Sequence, residues 1–235
     1  MENIQEAKRT IEQFQNIRIC LSESKQENIA CGLALFYTLR DLGKNVNIAI
    51  ENLPEQLKFL TPSLDYISYP KNLVLSIPRK DNEISQIRYE KDESNLKINL
   101  TVSKGNIKKN DISFYFIEPK PDLLITLGIK DKIEIPIVDP QPVILNIDNQ
   151  QENSNFGRIN IISPEKLLPE IVFEIIKAFG KTIGKNIAAN LLAGVIIASD
   201  NFGKKDLSPA ILEIAAALMR YGADRQTIIE NIHKN

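Results

Sequence analysis

Apolar positions recur along the chain with two periods, and the order in which the periods alternate predicts the architecture. Ile4, Ala7, Ile11 and Phe14 fall at three- and four-residue spacing over Glu2 to Gln15, which reads as a short amphipathic helix leading into a strand over Ile17 to Leu21. Glu27 to Leu42 is again helical, with Ile29, Leu33, Phe36, Leu39 and Leu42 on one face and Gly43 where a left-handed cap is expected; a strand over Val46 to Ile50 follows. A strand, a helix and a second strand in that order open a parallel sheet.

From Asn72 to Phe116 the period becomes two. Ile87 and Tyr89 on one run and Leu96, Ile98, Leu100 and Val102 on the next are joined by Asp92-Glu93-Ser94-Asn95, so the segment reads as an inserted antiparallel hairpin. Leu123 to Leu127 and Val143 to Ile147 are unbroken apolar runs of the kind buried on both faces of a parallel sheet, and Arg158 to Ile162 is a shorter one. Helices are then expected over Pro164 to Phe179 (opened by Ser163, closed by Gly180), Lys185 to Ile197, Pro209 to Tyr221 (Ser208 before it, Gly222 after it) and Asp224 to Ile232. The expected fold is α/β, a mainly parallel central sheet with helices on both faces, organised as a single domain over 1–235 with the 72–116 region inserted into it.

Composition narrows the chemistry. The 235 residues are 43% hydrophobic and 25% charged with a net charge of −1, so no global field draws the protein to nucleic acid or anionic lipid. Histidine is the most restrictive count, because the only one, His233, stands at the end of the chain; histidine-based catalysis and histidine-bearing metal clusters are thereby disfavoured. Tryptophan is absent and aromatics make up 6%, a poor supply for stacking bases. Cys20 and Cys31 read as reduced, core-packed thiols of a cytoplasmic protein, and no apolar run approaches the ~20 residues of a membrane span. Lys104 with Lys108-Lys109 reads as a solvated loop, and Gly180-Lys181-Thr182 lacks both the glycine spacing and the preceding strand of a phosphate loop.

Ligands of open parallel sheets bind at the carboxyl ends of the strands, which directs attention to Ser22 through Asn28, to Gly128 with Ile129, to Asn146 through Gln150, and to Gly194 through Phe202. In these places the sequence resembles the DHH family of phosphoesterases, the branch of oligoribonucleases and single-strand exonucleases. The residues that carry the resemblance are Asn146-Ile147-Asp148-Asn149-Gln150 with Asn153-Ser154-Asn155-Phe156-Gly157 behind them, Leu192-Ala193-Gly194-Val195-Ile196-Ile197 with Phe202 downstream, and Ile211 to Ala216 through Gly222-Ala223-Asp224. The resemblance implies two divalent cations, usually manganese, held by carboxylates and histidines to activate water against a phosphate ester.

At nearly every ligand position the sequence departs from that pattern. The Asp-x-Asp pair of the first motif corresponds to Lys25 and Glu27, with Leu21 in place of the histidine ahead of it; the aspartate after the next central strand corresponds to Gly128; the two histidines of the signature are Asn149 and Gln150, leaving Asp148; and the last aspartate corresponds to Ala198. An ammonium at Lys25 repels a cation, so the expectation is a pseudoenzyme with no catalytic residues and no cofactor, kept as a binding or regulatory protein. Asp148 would then pair with Lys25 or with backbone N–H groups, and Lys25, Asn149 and Asn153 would form a pocket for a phosphate or nucleotide. A homodimer is a further expectation. The alternative is a divergent phosphoesterase acting on nucleotides or short oligonucleotides, with Glu27, Asp148 and Asp200 holding one Mn²⁺ or Mg²⁺; a third reading is an α/β scaffold with no ligand in its cleft. The resemblance also implies a substrate-binding domain beyond Ile232, and since the chain ends at Asn235 that half is expected to be missing.

Overall fold

The computed structural model describes residues 2–50, 53–63, 67, 72–80, 82–117, 119–135 and 141–234. Its contacts divide the chain into a unit formed by 1–70 with 120–235 and a second unit over 71–119.

In the first unit, α1 (Glu2–Gln13), β1 (Asn16–Leu21), α2 (Gln26–Asp41) and β2 (Asn45–Ala49) come first; β7 (Leu123–Leu127), β8 (Val143–Asp148) and β9 (Ile159–Ile162) follow the inserted unit, and α3 (Leu168–Ala178), α4 (Lys185–Ala198), α5 (Pro209–Arg220) and α6 (Arg225–Ile232) complete it. The five strands form one sheet in the order β2-β1-β7-β8-β9, every neighbouring pair parallel. The chain builds outward from β1 to β2 and then returns to the other side of β1 as β7, so the order reverses between β1 and β7. In open parallel sheets the carboxyl edge at such a reversal is where ligands bind.

Alternate residues of the strands enter two cores. Ile17 and Ile19, Leu123 and Ile125, Leu145 and Ile147, and Ile159 and Ile161 join the large cluster shared with α1 through α6, while Cys20, Leu124 and Ile144 pack with Ile129, Ile135 and Phe156 in a smaller one. Burial on both sides explains why β7 and β8 are apolar without alternation. Helix α2 is the most enclosed helix: twelve consecutive residues from Asn28 to Leu39 are buried. Both cysteines are free and buried, and burial pushes each thiol above its ordinary pKa. Among the described residues no helix is long and apolar enough to cross a membrane.

The boundaries follow the sequence pattern closely except at α3, which begins after Leu167 rather than at Pro164. A helix started at Pro164 would carry Pro169 in its interior, losing one hydrogen bond and pressing the ring against the carbonyl of residue 165. Instead Ser163 to Lys166 make a turn, the Lys166 N–H donating to the Ser163 carbonyl at 3.1 Å, and Pro169 falls in the first helical turn where it costs nothing. Glu170, itself buried, closes that turn by accepting from the Leu167 N–H at 2.9 Å. Its other oxygen accepts from the Ser208 hydroxyl at 2.9 Å, so Ser208 ties α5 to α3 and does not cap its own helix with its side chain.

The second unit has two separate antiparallel pairs. β4 (Glu83–Lys91) and β5 (Leu96–Lys104) form the hairpin, and β3 (Asn72–Ser76) pairs with β6 (Ser113–Ile117). Asp92 holds the hairpin turn by accepting from the backbone N–H groups of Ser94 and Asn95 at 2.9 and 2.7 Å, bonds that also hold its carboxyl below the usual range.

Phe36, in α2, is the largest of the fully buried side chains of the main core. Phe36→Ala is expected to lower stability by about 3–5 kcal/mol in a denaturant titration, the range for emptying such a site. Both thiols should react with a chromogenic disulfide reagent only once the protein is unfolded.

Candidate functional site

Strand β1 ends beside β7, and the Ser22 N–H extends their ladder by donating to the Leu127 carbonyl at 3.1 Å. The loop Ser22 to Lys25 then enters α2, in whose first turn Asn28 is 3% exposed and donates through Nδ2 to the Ser22 carbonyl at 2.9 Å. Gly128 follows β7 with φ +63°, and its N–H donates to the Ile147 carbonyl of β8 at 3.0 Å. A Cβ at Gly128 would lie 2.4 Å from Asn28 Nδ2. Asn28 therefore fills the space at the switch point that a side chain at 128 would need. It lies at the end of the stretch singled out after β1, and its own signal is an amide at the head of an otherwise apolar buried helix.

On the other side of Gly128 lies a buried polar network. Asp148, the last residue of β8, is completely buried. Its carboxylate accepts from the Asn149 backbone N–H at 2.8 Å, from Gln150 Nε2 at 3.3 Å to each oxygen, and from Asn153 Nδ2 at 2.6 Å. Gln150 Nε2 also donates to the Gly128 carbonyl at 3.1 Å, and Asn153 Nδ2 to the Ile129 carbonyl at 2.9 Å. Asn153 in turn accepts from Asn146 Nδ2 at 2.8 Å, and Asn146 accepts from the Thr126 hydroxyl at 3.0 Å. Of the two kinds of partner expected for Asp148, a backbone N–H is present and the Lys25 ammonium is not.

The other predicted positions gather at the same edge with different surroundings. Lys25 is the exposed N-cap residue of α2 and makes no ion pair among the described residues; Glu27 is half-buried in the first turn of that helix. Asn149 turns its Nδ2 to the Lys166 carbonyl at 3.1 Å. A Cβ on Gly194 would lie 3.7 Å from the Glu27 carbonyl, which puts the end of α4 beside the start of α2, and Ala198 closes that helix as a buried methyl group. Asp200 is exposed at φ +53°, the first of three consecutive left-handed residues with Asn201 and Phe202. Asp148 alone among these is a buried carboxylate, and it is saturated by amide donors. Among the described residues no three Asp, Glu, His or Cys side chains are grouped so as to hold a cation. Glycine at 128, alanine at 198 and amide donors at 149 and 150 do not fit a two-cation centre.

No family model matches the chain. Over 105 residues, 44% of this chain, it is 27% identical to the bifunctional oligoribonuclease and PAP phosphatase NrnA of Thermus thermophilus, the match spanning 32% of that protein. Among solved structures, an exopolyphosphatase-related protein from Bacteroides fragilis superposes with a TM-score of 0.70 at 18% identity, covering 100% of this chain and 61% of the other. The chain thus spans less than two thirds of each.

Two substitutions test the site's construction. Asn153→Ala removes the shortest donor from a buried carboxylate and is expected to cost about 2–3 kcal/mol in a denaturant titration. Gly128→Ala, strained in φ and crowded by Asn28, is expected to cost about 1–3 kcal/mol. Part of the second loss should disappear in an Asn28→Ala background, where the crowding is relieved.

Proposed function

We propose that this chain, a DHH-type phosphoesterase domain in its fold and in part of its sequence, has lost the two-cation centre of catalysis and serves as a binding or regulatory protein. The observation that carries the reading is the saturated carboxylate of Asp148, accepting from Asn149, Gln150 and Asn153 inside the protein. A cation bound there would stand about 2 Å from a carboxylate oxygen. It would displace the amides of Gln150 and Asn153 and leave buried N–H groups without acceptors.

The residues present do less chemistry than a hydrolase needs. Hydrolysis by two cations requires a bridging nucleophile and charge neutralisation of the phosphate, and the amides at 149, 150 and 153 supply neither. They neutralise nothing, but they hold the loop after β8 in one position. Lys25, exposed at the head of α2, makes no ion pair among the described residues. It suits a phosphate-bearing ligand held without turnover, a contact strengthened by the first-turn N–H groups of the helix. The two buried, unbonded thiols favour a reducing cytoplasm.

Three experiments test the reading. Titration calorimetry with Mn²⁺ or Mg²⁺ should give no heat beyond dilution at millimolar cation, and dinucleotides, short RNA and 3′-phosphoadenosine phosphate should remain intact on incubation with the protein and Mn²⁺. Phosphate or a nucleoside monophosphate should bind weakly, and Lys25→Ala should weaken it several-fold. Cleavage that depends on metal and is abolished by Asp148→Asn would overturn the proposal in favour of a divergent phosphoesterase.

A further inference from the structure

We draw no further inference here: the strongest candidate, the polar cavity of about 320 Å³ lined by Asn149, Glu170, Lys204, Lys205 and Ser208 at the heads of α3 and α5, rests on exposed lysines and helix N-termini with no second observation that points to a ligand, its one buried charged group, Glu170, being already bonded to the Leu167 N–H and the Ser208 hydroxyl.

Discussion

A carboxylate placed wholly inside a protein must be met by a cation or by hydrogen-bond donors, since desolvating it unpaired costs several kcal/mol. Asp148 is met by donors. Asn149 supplies a backbone N–H, Gln150 and Asn153 supply amides, and each amide also binds a main-chain carbonyl, at Gly128 and Ile129 respectively. The carboxylate thus fastens the loop after β8 to the loop after β7. Asn146 and Thr126 continue the chain of bonds into the sheet. Geometry and charge are satisfied together by these bonds.

The switch point between β1 and β7 is closed by similar means. Gly128 has no side chain and stands in a left-handed conformation, and the buried amide of Asn28 occupies the room above it. Gly128 thereby joins two features, the amide of Asn28 on one side and that of Gln150 on the other. Exposed Lys25 and half-buried Glu27 stand beside it at the head of α2.

The inserted unit solves its folding problem differently. The parallel sheet buries both faces under its own chain, but the hairpin of β4 and β5 has a single layer, and alternation along it produces an apolar side with nothing in the ribbon itself to cover it.

Much of the fold was legible because periodicity records burial. The apolar runs at Leu123 and Val143 are those of strands covered on both sides, and the period-two stretch announced the hairpin together with its turn. The start of α3 was misjudged because Ser163-Pro164 and Leu167-Pro169 are both competent openings; the choice depends on Glu170, which also binds Ser208 across a gap of 38 residues. The candidate positions could be read from strand ends, yet their partners could not. Asn28 over Gly128, and Gln150 and Asn153 around Asp148, are contacts between side chains from different loops, and sequence spacing says nothing of such encounters. By itself the sequence determined the order of strands and helices and the scarcity of ligands. Only the tertiary structure decided what the buried carboxylate of Asp148 is bonded to, because donors from separate loops reach it only once the sheet has brought their strand ends together.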